Sequence, residues 1–123
     1  MDLKISQLLE MQRELQEKYL EKWGGVYPEK GASQLLWGIG EIGEVIDILK
    51  KRGTEEIMHD PITRAHFVEE LSDVMMYLCD VMLCFDITAQ EYSEAHAKKH
   101  AHNMQRDYVS ENRHLFDKKS SED

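Results

Sequence analysis

Residues 38–47, with the sequence Gly-Ile-Gly-Glu-Ile-Gly-Glu-Val-Ile-Asp, decide how this chain of 123 residues is interpreted. Glu41 and Glu44 stand three residues apart, with three glycines among them. Because each glycine inside a helix costs about 1 kcal/mol relative to alanine, this stretch predicts that a backbone or a ligand approaches closely. A second acidic pair with the same spacing, Glu70 and Asp73, follows downstream. We interpret the two pairs as halves of one site.

Helical periodicity surrounds both pairs. Asp2 is predicted to cap the first helix and Gly53 to stop the second, while Asp60-Pro61 is a typical start for the third. Thr88 and Glu91 match a capping box at the start of the fourth. The predicted helices span about residues 2–22, 32–51, 61–85 and 88–108. Short connections between them predict an all-α, antiparallel four-helix bundle in one domain, residues 1–109, followed by a polar tail, residues 110–123.

Apolar stripes on the second and third helices predict the bundle core. The stripe of the second helix is Leu35, Ile39, Ile42, Ile46 and Leu49, and that of the third is Phe67, Leu71, Val74, Leu78, Val81 and Phe85. Trp37 and Ile48 share the acidic side of the second helix, which predicts that this helix is covered on two sides. We therefore expect a homodimer or a homotetramer that completes the bundle.

The composition limits the possible functions. The formal net charge is -9, from 24 acidic and 15 basic side chains, whereas proteins that coat nucleic acids or membrane surfaces normally need a basic face. Cys79 and Cys84 lie within an apolar helical pattern, so no disulfide is expected and a reducing cytoplasm is predicted. The chain has no apolar run of membrane-spanning length. We expect no nucleic-acid partner and no membrane partner.

The two acidic pairs predict a metal site. Four carboxylates that share a partly buried cleft repel one another and are costly to desolvate, so they imply bound cations or raised pKa values. A ligand set made only of oxygen atoms suits Mg²⁺ or Mn²⁺ better than zinc. Either pair alone is more typical of a solvated helix surface, because such short spacings are common by chance. The fourth helix decides between these interpretations.

One face of the fourth helix carries polar groups where apolar core residues would be expected: Tyr92, His96, Lys99, Asn103 and Arg106. A helix that packs through such a face closes over something polar. Phosphate oxygens would satisfy Lys99 and Arg106 by charge and Asn103 by hydrogen bonding. A zinc site built from the neighbouring histidines is disfavoured, because no third ligand has suitable spacing.

In these residues the chain resembles the all-α nucleoside triphosphate pyrophosphohydrolases, the MazG-like superfamily that also contains dimeric dUTPases and phosphoribosyl-ATP pyrophosphohydrolases. The resemblance covers about residues 31–108 and rests on three motifs in order: Glu41-x-x-Glu44, Glu70-x-x-Asp73 and Lys99-x-x-x-Asn103-x-x-Arg106. The sequence departs from the family before Glu41, where relatives often have a further acidic residue.

The resemblance implies cleavage between the α and β phosphates of a nucleoside triphosphate, which gives a monophosphate and pyrophosphate. It implies Glu41, Glu44, Glu70 and Asp73 as ligands of Mg²⁺, and Lys99, Asn103 and Arg106 as phosphate contacts or supports for those ligands. Glu41 or Glu44 is the better candidate for the catalytic base, because their helix carries the glycines.

An aromatic wall for the base is expected from at least one of Trp23, Tyr27 and Trp37. A dUTPase-like activity and a phosphoribosyl-ATP activity remain open within the family. A di-iron bundle is disfavoured, because neither acidic pair carries the Glu-x-x-His spacing that such bundles usually need. A non-catalytic helical interaction protein is the remaining alternative.

Overall fold

The computed structural model describes residues 1–106, and within this range the chain is helical with no β-strand. The helices are α1 (Ile5–Lys18), α2 (Leu20–Trp23), a 3-10 helix (Pro28–Lys30), α3 (Gly31–His59), α4 (Pro61–Cys84) and α5 (Ala89–Gln105). The prediction of an all-α protein is therefore confirmed for this range. The predicted tail, residues 110–123, and the last two residues of the predicted fourth helix lie outside it.

The chain divides into two compact units. The first unit spans Met1–Ala89 and the second begins at Gln90. In the first unit α4 is the central helix, because it packs against both α3 and α1. Leu9, Cys79 and Leu83 form the buried apolar cluster between α1 and α4. The second unit holds the remainder of α5 within the described range.

Two predicted helix boundaries are wrong at the start of the chain. The first helix begins at Ile5, because the side-chain oxygen of Gln7 accepts a hydrogen bond from the backbone N–H of Lys4 at 2.7 Å, so Asp2 does not cap it. It also ends at Lys18, where Tyr19 leaves helical geometry before the short α2 begins.

Gly53 divides α3 into two helical segments that meet at a kink. Its φ of 80° and ψ of 165° lie in a region that essentially only glycine occupies, and helical geometry resumes until His59. The prediction that Gly53 stops the second helix near residue 51 is therefore confirmed, and residues 54–59 form a separate helical segment. At Asp60 the prediction is confirmed, because the Asp60 carboxylate accepts hydrogen bonds from the backbone N–H of Thr63 at 3.2 Å and from its hydroxyl at 2.7 Å.

The buried face of α3 is not the predicted one. Val45 and Ile48 are buried against the rest of the first unit, whereas the predicted core stripe is exposed: Leu35, Ile39, Ile42, Ile46 and Leu49. On α4 the same holds for Leu71 and Leu78, and also for Phe85 just after the end of this helix. A periodic apolar stripe identifies a face that avoids water, but it does not tell a core from an interface.

The glycines of residues 38–47 have different environments. A side chain added at Gly38 would contact Cβ of Tyr77 at 3.4 Å, so here α3 and α4 approach closely. Nothing within the described chain lies within 4 Å of the same position at Gly40 or Gly43. Among these three glycines, the predicted close approach to another part of residues 1–106 occurs only at Gly38.

Candidate metal centre

The register of the α3–α4 hairpin brings the two acidic motifs together. Asp60 joins the two helices, and contacts at both ends of the pair show that they run antiparallel. Glu56 contacts Thr63 near the turn, and Gln34 contacts Asp80 towards the open end. Midway along the hairpin, this register places Glu41 opposite the Glu70-x-x-Asp73 motif.

Glu41, Glu70 and Asp73 form a compact group, which we call the acidic triad. Each residue offers one carboxylate oxygen, and the three atoms lie within 4.8 Å of one another. All three side chains are half-buried, so solvent still reaches the group. Three oxygens at this spacing suit a hard divalent cation such as Mg²⁺ or Mn²⁺, which prefers carboxylate ligands.

The triad is electrostatically unfavourable without a cation. Burial raises the pKa of Glu41 above its usual value, and the charges of Asp73, Glu70 and Glu44 raise it further. Burial also raises the pKa of the Tyr77 hydroxyl, with the charge of Glu41 as a further cause. Both pKa values are raised because the two groups are partly withdrawn from water and lie close to other negative charges.

Glu44 lies at the edge of this arrangement. Its side chain is exposed and is not part of the triad, although its charge contributes to the raised pKa of Glu41. On the α4 side, the exposed His66 ring approaches Glu70, with 3.3 Å between Nε2 and a carboxylate oxygen. The structure thus groups three of the four predicted ligands and leaves the fourth beside them.

A cavity of about 530 Å³ opens next to the triad. Glu41 and Asp73 line it at one end, and both tryptophans, Trp23 and Trp37, also contribute to its wall. Trp37 is 63% exposed in the single chain, so its ring is accessible to a ligand in the cavity. Tyr27 is not among the lining residues. Two of the three aromatic candidates for base stacking therefore border the cavity.

The cavity also contains a polar group that the sequence did not predict. Asp80 is only 3% exposed, and its carboxylate accepts hydrogen bonds from the side-chain amides of three glutamines on two helices. The Nε2 atoms of Gln12, Gln16 and Gln34 lie 2.8, 3.0 and 2.9 Å from the Asp80 oxygens. We call these four residues the amide cluster. A signal was present in the sequence, because Gln12 and Gln16 share the buried face of α1 with Leu9.

The predicted phosphate-binding residues belong to the second unit. Lys99 is exposed, and Arg106 donates a hydrogen bond to the side-chain oxygen of Asn103 at 3.4 Å. On the same stripe, the Tyr92 hydroxyl and Nδ1 of His96 are 2.9 Å apart, within hydrogen-bond distance. The polar stripe of α5 is thus internally bonded, and its role towards a phosphate stays a prediction.

Comparison with known proteins gives no relatives: no family model, no curated protein and no solved structure matches the chain. Among residues 1–106, no helix is both long and apolar enough to cross a membrane. The assignment of a function therefore depends on the acidic triad, the cavity and the sequence motifs.

Proposed function

We propose that this protein is a Mg²⁺-dependent nucleoside triphosphate pyrophosphohydrolase of the MazG-like type. The observation that carries the proposal is the acidic triad, in which a hairpin places Glu41 against Glu70 and Asp73 within 4.8 Å. The motifs that resemble the family predict this meeting of helices. A raised pKa of Glu41 is also what a cation site without its cation would produce.

The triad would hold the metal. Glu41, Glu70 and Asp73 supply one oxygen each, and Glu44, whose charge acts on Glu41, is the candidate for a fourth ligand or for the catalytic base. When bound, Mg²⁺ neutralises phosphate oxygens and lowers the pKa of a coordinated water. Whichever of Glu41 and Glu44 does not use both carboxylate oxygens as metal ligands accepts the proton of the attacking water.

The substrate would extend from the triad into the cavity. Its triphosphate lies at the carboxylate end, and its base lies against the wall formed by Trp23 and Trp37. Lys99, Asn103 and Arg106 belong to the second unit, and their binding of phosphate stays a prediction from the sequence motif. Cleavage between the α and β phosphates gives a nucleoside monophosphate and pyrophosphate, and a dUTPase-like or phosphoribosyl-ATP activity is a variant of the same chemistry.

A panel of canonical and modified nucleoside triphosphates, including dUTP and phosphoribosyl-ATP, tests this function. We expect pyrophosphate release with Mg²⁺ or Mn²⁺ and none with EDTA. Product analysis must give the monophosphate rather than the diphosphate. If no member of the panel releases pyrophosphate above the rate without protein, the proposal is wrong and the helical interaction protein is favoured.

We also propose that the chain forms a homodimer or homotetramer that completes a four-helix bundle. The apolar stripe of α3 is exposed in the single chain, with Ile39 62% and Ile46 49% exposed. The exposed Leu71, Met75 and Leu78 of α4 add further apolar surface. Isolated exposed apolar residues are ordinary, but a continuous set along two helices is typical of an interface between subunits.

Ile39→Lys is expected to shift the protein to the monomer, because a charge placed in a subunit interface must be desolvated. Light scattering coupled to size exclusion measures the mass directly. Ile62→Lys is the matched control, since Ile62 is 81% exposed at the start of α4 and lies outside the stripe. A wild-type chain that is monomeric at all concentrations would contradict the proposed oligomer.

A further inference from the structure

We propose that His96 and His100 on α5 form a binding site for a divalent transition-metal ion of the Cu²⁺ or Ni²⁺ class. The pair lies in the second unit, whereas the acidic triad belongs to the first. The inference goes beyond the proposed function and does not depend on it, because the two sites have different ligand chemistry.

The spacing of the two histidines allows them to bind one ion together. They stand four residues apart within α5, which spans Ala89–Gln105. Side chains at this spacing are neighbours on one face of a helix, with Cβ atoms about 5–6 Å apart. The same spacing brings two imidazoles onto one Zn²⁺ ion in the helical His-Glu-x-x-His motif. One nitrogen from each ring of the pair can therefore reach a shared ion.

Both rings are accessible to an ion in solution. His96 and His100 are exposed residues of α5. His100 makes no hydrogen bond and no ion pair within residues 1–106, so both of its ring nitrogens are free to bind a metal. The pair is therefore open to solvent before any ion binds.

Tyr92 determines which nitrogen of His96 is available. Its hydroxyl lies 2.9 Å from Nδ1 of His96, and the two ring centroids are 5.5 Å apart. This hydrogen bond engages Nδ1 and leaves Nε2 for a ligand. Histidines that bind metals usually have their second nitrogen hydrogen-bonded, which fixes the orientation of the ring. When Nε2 binds the ion, Nδ1 carries the proton and donates a hydrogen bond to the Tyr92 oxygen.

The donor atoms select the class of metal. Imidazole nitrogen suits Cu²⁺, Ni²⁺ and Zn²⁺, whereas Mg²⁺ and Mn²⁺ prefer carboxylate and water oxygens. No third histidine, cysteine or carboxylate stands three or four residues from either member of the pair, so water fills the remaining positions around the ion. Zn²⁺ sites in proteins normally have three or four protein ligands. Cu²⁺ and Ni²⁺ accept tetragonal sets of nitrogen and oxygen ligands, and Cu²⁺ generally binds more tightly.

Titration of the metal-free protein with NiCl₂ tests the inference without any catalysis. The second imidazole binds an ion that the first already holds, so the pair should bind at least about tenfold more tightly than either histidine alone. His96→Ala and His100→Ala are therefore each expected to raise the Kd for Ni²⁺ at least about tenfold. Isothermal titration calorimetry measures the Kd, and circular dichroism verifies the helix content of each variant.

His59→Ala is the matched control. The His59 imidazole is also exposed on a helix, but its neighbour four residues away is Glu55, with 3.4 Å between Nε2 and a carboxylate oxygen. This variant is expected to keep the wild-type Kd for Ni²⁺. An unchanged Kd in both α5 variants, an equally large increase in His59→Ala, or no binding by the wild type up to millimolar concentrations would each overturn the inference.

Electron paramagnetic resonance of the Cu²⁺ complex gives an answer that depends on no variant. We expect hyperfine couplings to two imidazole nitrogens when one equivalent of Cu²⁺ is added to the wild-type protein. A complex with one imidazole, or with oxygen ligands only, would overturn the inference.

The outcomes separate this site from the proposed function. Ni²⁺ binding at the pair with no pyrophosphate release from any triphosphate would support the site and contradict the enzyme. Pyrophosphate release with Mg²⁺ from a protein whose Ni²⁺ affinity is independent of both histidines would support the enzyme and overturn the site.

Discussion

Glu70→Gln and Asp73→Asn are each expected to reduce Mg²⁺-dependent pyrophosphate release by at least about 100-fold, because a catalytic metal supplies several kcal/mol of charge stabilisation and about 1.4 kcal/mol corresponds to a factor of ten. Both substitutions keep the shape of the side chain and remove one charge from the acidic triad. The measurement is the steady-state rate at saturating Mg²⁺, with circular dichroism to verify helix content.

The control for this experiment is Glu55→Gln, which neutralises a carboxylate on the same hairpin that is 92% exposed and far along α3 from the triad. It is expected to retain the wild-type rate. Glu44→Gln extends the series to the predicted ligand that lies beside the triad, and a loss of similar size is expected if it joins the metal or acts as the base. Wild-type rates in both Glu70→Gln and Asp73→Asn would refute the metal centre.

Glu41→Gln adds a thermodynamic measurement to the same series. Burial and the charges around Glu41 raise its pKa in the folded chain, so the ionised carboxylate lowers the stability of the folded state at neutral pH. The free energy of unfolding therefore rises as the pH falls through the pKa of Glu41 in the folded chain. The neutral glutamine should therefore unfold at a higher temperature than the wild type in EDTA at neutral pH, while losing the stabilisation that Mg²⁺ gives the wild type.

Asp80→Ala is expected to lower the free energy of unfolding by at least about 3 kcal/mol, because it removes the acceptor shared by three buried amides and each unpaired buried group costs about 1–3 kcal/mol. Urea denaturation followed by circular dichroism measures the loss. Total stabilities of about 5–15 kcal/mol are typical of domains, so a loss of this size is readily detected.

Asp80→Asn provides a graded comparison. One asparagine oxygen can still accept from Gln12 and Gln16, but its NH₂ group faces the amide of Gln34, so about one hydrogen bond is lost, at a cost of about 1 kcal/mol. Asp47→Ala, on an exposed carboxylate of α3, should cost less than about 0.5 kcal/mol. A loss below about 1 kcal/mol in Asp80→Ala would mean that the amide cluster contributes little to stability.

Local signals in the sequence account for the hairpin and for the acidic triad. Asp60-Pro61 specifies where α4 starts, and the helical spacing of Glu70 and Asp73 fixes their common direction. Where Gly38 lies against Tyr77, the regular spacing of the two antiparallel helices places Glu41 opposite this motif. The triad was predictable because its partners lie within one hairpin.

Features that depend on distant partners were not predictable in the same way. Gln16 and Asp80 are 64 residues apart, and no local pattern reports that their side chains meet. Helical spacing shows that Ile39 and Ile46 lie on one apolar face, but it does not show whether the same chain or another subunit covers that face. The role of Lys99, Asn103 and Arg106 is open for the same reason, since it depends on contacts beyond their own helix.

The single-residue link at Asp60 also has a consequence for folding kinetics. Contacts between α3 and α4 near the turn close very short loops, so they cost little chain entropy and can form early. The hairpin can then lengthen from Glu56 and Thr63 past the acidic triad towards Gly31. Docking of α1 requires much longer loops, because Gln12 lies 68 residues from Asp80. We expect the metal-binding end of the cavity to assemble first, and the amide cluster to be completed in a later, slower step.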